Sequence, residues 1–140
     1  MSGIPNPSPS AMAQIHAAAF QEARPWSADE IDTLMSSKHV FVVMVDDGFA
    51  MGRVIIDEVE LLTIAVRPEA QGQGLGRALL LGFEETAYHR GACRGFLDVA
   101  EDNISARHLY RSSGWTESGR RRNYYARQTG DFVDAILLSK

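Results

Sequence analysis

One cysteine, two tryptophans and five prolines are all that 140 residues hold of the residue types that most constrain a chain. The lone Cys93 excludes an intrachain disulfide framework and any cysteine-built zinc site, so a reducing compartment, the cytoplasm, is expected. His16, His39, His89 and His108 share no ligand spacing, and no metal is expected. Positive charge is also scarce: 14 basic against 18 acidic residues leave a net charge of -4. That balance argues against bulk electrostatic attraction to nucleic acid, and no direct nucleic-acid partner is expected. No apolar run approaches the roughly 18 residues that would suggest a membrane span, so no membrane partner is expected either. The N-terminus has neither the basic start nor the apolar block of a secretory leader. What remains, 45% hydrophobic and 23% charged, fits one compact domain without repeats or linkers.

Pro5, Pro7 and Pro9 deny the first residues the donors that helix and strand need, so residues 1–10 read as an extended or flexible tail before a domain over 11–140. Met12, Ile15, Ala19 and Phe20 fall at helical spacing, and Ser27 with Glu30 forms a capping box opening a second helix toward Met35. Two apolar runs, Val40 to Val45 and Phe49 to Ile56, flank Asp46-Asp47-Gly48 and predict a hairpin; Leu61 to Val66 predicts a third strand, ended by Arg67-Pro68. Leu75, Leu79, Phe83 and Ala87 then recur every four positions, predicting an amphipathic helix that stops at His89-Arg90-Gly91. Phe96 to Val99 predicts a strand, Asn103 caps a helix with Ala106, Leu109 and Tyr110 inward, and Trp115 onward predicts a last strand pair. This order specifies a single-domain α/β fold: a mixed, twisted sheet with helices packed on it.

The most informative stretch joins the third strand to the long helix: Ile64-Ala65-Val66-Arg67-Pro68-Glu69-Ala70-Gln71-Gly72-Gln73-Gly74-Leu75-Gly76-Arg77. Three glycines in five residues let the backbone approach a ligand, and the helix that follows adds unpaired N–H groups and a positive dipole end, together a cradle for phosphate. A dinucleotide fingerprint would need glycine at position 77 or 79, where arginine and leucine stand, and no Gly-Lys-Ser/Thr follows for a P-loop. A glycine turn without a ligand is the plain alternative.

The pattern Gln71-x-x-Gly74-x-Gly76 after a strand and a proline turn resembles the signature of the GCN5-related N-acetyltransferases. Further features in order make the chain similar to the bacterial ribosomal-protein-alanine N-acetyltransferases: Pro25-Trp26-Ser27, Glu60 to Val66, Asn103 with Leu109-Tyr110, Arg121-Arg122-Asn123-Tyr124-Tyr125, and Asp134-Ala135-Ile136. The resemblance implies a mostly antiparallel sheet splayed at its centre with helices on both faces. It also implies acetyl-CoA as cosubstrate, with the loop Gln71 to Arg77 on its pyrophosphate, donors from Ile64-Ala65-Val66, and Asn103 on its arm. Tyr110 is then placed at the sulfur, and Tyr124 and Tyr125 beside the acceptor peptide.

Asn103 and Tyr110, seven residues apart, project from one helix face, and a phenol can hand a proton to a departing thiolate. A helix cap and a core aromatic are their plain alternatives. Two departures stand out. Asp98 occupies the place of the family's glutamate base, one methylene shorter, which favours action through a water; a strand-end residue is the alternative, and Glu101 is a weaker rival. The family's opening strand has no counterpart in residues 1–10, so it is missing or replaced by an extended tail. The expected activity is acetyl transfer to a primary amine, foremost the α-amine of an N-terminal alanine on a ribosomal protein. A small amine, amino acid or antibiotic is the alternative acceptor, and a non-catalytic CoA-binding module the alternative class.

Overall fold

The run Val40–Val45 is apolar at every position because both of its faces are covered: Phe41, Val43 and Val45 pack into one core cluster, Val40, Val42 and Met44 into another. In the computed structural model, which describes residues 8–19, 26–127 and 129–140, this strand is β1. It begins a six-stranded sheet completed by β2 (Gly48–Ile55), β3 (Glu58–Val66), β4 (Arg94–Ala100), β5 (Thr116–Ala126) and β6 (Phe132–Ser139), in the order β1-β2-β3-β4-β6-β5. Every neighbouring pair is antiparallel except β3 and β4. These two run parallel and pair only at Glu58↔Arg94, Val59↔Gly95 and Glu60↔Phe96; beyond that point β3 stays with β2, β4 with β6, and the sheet opens between them.

Helices cover both faces. On one, α3 (Leu75–His89) lays Leu79, Leu80, Phe83 and Ala87 onto β1, β2 and β3, joined by Tyr110 of α4 (Ile104–Ser112) and by Trp115. On the other, Met12 and Ile15 of α1 (Pro9–Ala19) and Ile31 of α2 (Ala28–Met35) close over Val40, Phe49, Met51 and Ala65. The Ser27–Glu30 capping box forms as the spacing predicts, with both reciprocal bonds present. Gly91, at φ 96°, turns the chain out of α3, and Gly114, also at φ 96°, out of α4.

Three sequence expectations change. The tail does not reach residue 10: Pro9 and Ser10 open α1, because proline fits the first helical position, where no N–H bond is lost, and the Ser8 hydroxyl accepts from the N–H of Ala11. Residues 1–7 of the expected tail, and Phe20, Gln21 and Pro25, lie outside the described residues. Among the described residues no strand precedes α1. Gly48, read as part of a tight reversal, instead begins β2, paired with Val45; a Cβ there would lie 2.8 Å from the Ala65 carbonyl oxygen and 3.0 Å from Leu79, so its lack of side chain serves packing. Finally, β3 starts at Glu58, three residues before the apolar run, and carries a bulge: Met51 pairs Thr63 and Gly52 pairs Leu61, leaving Leu62 between them. The extra residue resets the alternation, so Val59 and Leu61 before it and Ile64 and Val66 after it all join the α3-side core.

Candidate active site

The parting of β3 and β4 is a cleft of about 1020 Å³, walled by the free half of β3, the Pro68–Gly76 loop, the start of α4, the middle of β4 and the Tyr124–Arg127 end of β5. Among the described residues, its β3 wall is a strand edge without a partner strand. The Arg67 N–H donates to Asp47 on the β2 side, and since direction alternates along a strand, Ile64 and Val66 present their backbone groups to the cleft. The Val66 carbonyl confirms this orientation by accepting from the Gln71 side-chain amide at 3.0 Å. Gln71 thus braces the loop against the strand.

After one 3-10 turn at Pro68–Ala70, the loop passes through Gly72 at φ 79° and Gly74 at φ 84°, both left-handed, and Gly74 is the N-cap of α3. No side chain caps that helix end. A Cβ on either glycine would meet nothing within 4 Å, so the concavity over them is open. Free helix N–H groups over an open glycine turn suit an anion such as pyrophosphate. Gln71, Gly72, Leu75 and Gly76 of the expected cradle line the cleft; Gln73, Gly74 and Arg77 do not, and the Arg77 guanidinium instead donates to Ser112 at 2.8 Å and to Ser113 at 3.3 Å.

From α4 come Asn103 and Tyr110, both at the cleft wall. Asn103 is the N-cap, its side-chain oxygen accepting from the Ala106 N–H at 3.2 Å. Tyr110 is 5% exposed, tilted against Trp115 with ring centres 6.4 Å apart, so it belongs to the core and the wall at once. Asp98 projects from β4, and burial holds its carboxyl above the usual carboxylate range; Arg121 pulls it down and Glu60 pushes it further up. The rival Glu101 is outside the cleft, ion-paired to Arg120 at 3.0 Å.

Tyr124 and Tyr125 reach the cleft because β5 breaks its ladder with β6 between Arg121 and Tyr125. Asn123 sits there at φ 52°, its N–H donating to Asp134 at 2.9 Å, and that bond with the Arg120 contact holds the Asp134 carboxyl below its ordinary range. Arg121 lies 5.1 Å over the Tyr124 ring. The hairpin end is tied to the α4 cap by an Asp102–Arg127 ion pair.

Sequence reasoning missed Glu60 as a site residue. It lines the cleft and sits on the last β3 position paired with β4. Beyond opening the stretch Glu60 to Val66, its sequence signal is the alternation Glu58-Val59-Glu60, which reads as an ordinary solvent face. Trp26, Asp102 and Arg127 also border the cleft without having been singled out for it.

Comparison with known proteins places this geometry. The family model described as the acetyltransferase (GNAT) family matches residues 10–115. Over 131 residues the chain is 35% identical to the [ribosomal protein bS18]-alanine N-acetyltransferase of Escherichia coli K12, covering 91% of this chain and 88% of that protein. The crystal structure of the ribosomal-protein-S18-alanine N-acetyltransferase from Escherichia coli superposes with a TM-score of 0.84 at 33% identity, over 99% of this chain and 90% of that one. A nourseothricin acetyltransferase is 32% identical with a TM-score of 0.62, over 71% of this chain and 62% of its own.

Proposed function

Because the chain belongs to the acetyltransferase (GNAT) family, we propose that this N-acetyltransferase moves the acetyl group of acetyl-CoA to the α-amine of a protein N-terminus, an N-terminal alanine of a ribosomal protein, in the cytoplasm. The observation that carries the reading is one cleft lined by a glycine turn at a helix N-terminus, by a carboxylate with raised proton affinity and by a phenol. The similarity to the bS18-alanine enzymes over nine-tenths of the chain supports the acceptor.

The backbone from Gln71 to Arg77, turned by Gly72 and Gly74 onto the N-terminus of α3, holds the pyrophosphate. Acetyl-CoA, when bound, supplies a thioester whose carbonyl carbon accepts a neutral amine and whose sulfur leaves as thiolate. The Ile64–Val66 edge offers N–H groups to the carbonyl oxygen, which gains charge as the amine adds. Asn103 keeps its oxygen on the Ala106 N–H and offers its amide hydrogens to the cofactor arm, since oxygen and amide are separate groups. Tyr110 gives its hydroxyl proton to the leaving sulfur, and Asp98 takes the ammonium proton, directly or through one water. Tyr124 and Tyr125 flank the incoming peptide.

Free-thiol release from acetyl-CoA against a panel of peptides and small amines tests this. Peptides beginning with alanine should turn over, α-blocked copies should not, and an internal lysine should not rescue them. The similarity to a nourseothricin acetyltransferase favours a second reading, a small-molecule amine as acceptor; turnover of such an amine with none of any peptide would establish it. A CoA-induced rise in Tm with no thiol release in the presence of either kind of acceptor would leave a non-catalytic CoA-binding module.

A further inference from the structure

The sheet has two outer edges, β1 and β5, and the chain treats them differently. Along β5, the arginines at 120, 121 and 122, two breaks in the ladder with β6 and the left-handed Asn123 spoil any flat template for another strand. β1 has none of these. Val40–Val45 holds no charge, proline or glycine, and its register with β2 runs unbroken from Val40↔Arg53 to Val45↔Gly48. The phase of that ladder decides which backbone groups are left over. The Val54 N–H donates to the His39 carbonyl at 2.9 Å, so His39, Phe41, Val43 and Val45 bond to β2, while Val40, Val42 and Met44 face outward. The Val40 N–H is taken by the Ser37 carbonyl at 3.2 Å. Among the described residues, nothing bonds the Val40 carbonyl or either backbone group of Val42 and Met44.

An antiparallel two-fold centred on Val42 satisfies this edge with itself. Val42 then lies opposite Val42 of the second copy and exchanges both bonds with it, and the Met44 N–H donates to the second copy's Val40 carbonyl. The same register brings Lys38, just before β1, to Asp46, just after it, once on each side of the axis. Both are exposed, and neither has an ion-pair partner among the described residues; the neighbouring Asp47 is taken by Arg67 at 3.7 Å. A slip of two residues sets Val40 or Met44 opposite a residue outside β1 and parts the charges. We propose that β1 is a docking edge for a second copy of this chain, the two β1 strands pairing antiparallel about Val42 and closed at each end by a Lys38–Asp46 contact. Two sheets thereby become one. β2 lies between β1 and the β3 wall of the cleft, so the pairing leaves both clefts open and stands independently of the acetyl-transfer reading. A backbone contact along one short strand gives a reversible dimer that fills as protein concentration rises.

Sedimentation velocity on the full chain, over a range of concentrations in low-salt buffer, should show a monomer passing into a dimer. Amide exchange at Val42 and Met44 should slow as the dimer fills. Lys38→Glu and Asp46→Lys each set like charges against one another at both ends of the strand pair, and each should weaken the dimer by about tenfold, the scale of two exposed charge contacts. The double variant Lys38→Glu/Asp46→Lys exchanges the charges and should restore it. Both side chains are exposed, so the fold should persist in all three variants, checked by an unchanged Tm at concentrations where the chain is monomeric. Val42→Pro removes an N–H that its own sheet does not use, and should abolish the dimer. A wild type that stays monomeric at every concentration overturns the proposal; if its Val42 and Met44 amides are protected all the same, another segment of its own chain occupies the edge. A dimer indifferent to both single charge reversals, or not restored by the double variant, also overturns it. Thiol release plays no part in these measurements, so failure of the acetyl-transfer reading leaves them standing.

Discussion

Asn103 and Tyr110 stand seven residues apart, at the N-cap and in the last turn of the same short helix, and both open onto the β3–β4 cleft. The phenol is fixed by burial against Trp115, so its direction is set by the core. Tyr110→Phe removes one hydroxyl and almost no volume. It should lower turnover by about 10²–10⁴-fold, the range for a general acid, while the CoA-induced melting shift stays. Wild-type turnover in an assay where chemistry is rate-limiting would take Tyr110 out of the mechanism.

Gly74→Val should abolish CoA stabilisation. A Cβ at this position meets no neighbour, so the effect comes from backbone strain: at φ 84° a β-branched residue costs on the order of 1–2 kcal/mol and the turn relaxes away from its left-handed form. In wild type, CoA at a hundred times its dissociation constant should add about 2.7 kcal/mol, seen as a higher Tm. An undiminished shift in the variant contradicts the cradle, as would an equal response to NAD or ATP.

Asp98→Asn should impair turnover most at mildly acidic pH. The carboxyl is held above its ordinary range by burial, which makes it a better proton acceptor in the wild type. At high pH the acceptor loses its proton unaided and the variant should approach wild type. A deficit constant across pH 6 to 10, on the order of four pH units spanning the amine reference value, would mean that Asp98 serves structure or binding and not proton transfer.

His16 should make the fold acid-sensitive. Its ring is fully buried, accepts from the Trp26 N–H at Nδ1 and stacks on Trp26 at 4.9 Å; burial lowers its pKa to about 4 although Glu30 opposes this. Between the unfolded value near 6.5 and about 4 the unfolded chain binds the extra proton, so stability falls as pH drops through that window and levels off below it, by about 3 kcal/mol in all. Urea melts of wild type and His16→Gln should converge as pH falls from 7 to about 4; parallel curves would refute the assignment.

Ile56→Asn should stabilise the protein by about 1 kcal/mol. Ile56 is 89% exposed at the β2–β3 turn with φ 60°, a left-handed conformation that a β-branched side chain resists and asparagine tolerates. A lower Tm for the variant would show that the side chain has a packing role.

What was legible in the sequence is what local chemistry determines. The Leu79, Phe83, Ala87 stripe, the Ser27–Glu30 box and the glycine loop each carry their instruction within a dozen residues, and each takes the expected form. Asp98, Asn103, Tyr110, Tyr124 and Tyr125 do meet in one cleft, yet nothing in their spacing says that β3 and β4 pair for three residues and then separate. Glu60 escaped for the same reason: on its own strand it is an ordinary polar position, and only its pairing with Phe96, 36 positions further along the chain, sets it on the same face as Asp98. The Leu62 bulge and the positive φ of Asn123 are likewise set by tertiary pairing, with no glycine to announce them.

The short β3–β4 contact leaves the molecule with unfinished folding at its centre. Two interior strands expose edges that elsewhere in the sheet would be zipped; apart from the Val66 carbonyl, which Gln71 meets, the backbone groups along them are open to water or to an extended guest. A ligand threaded into the gap therefore acts as a seventh strand supplied from outside, and part of its affinity is cohesion that the chain alone does not complete. Amide exchange at Ile64 and Val66 should slow when CoA binds, and the two halves of the sheet should then unfold as a single cooperative body.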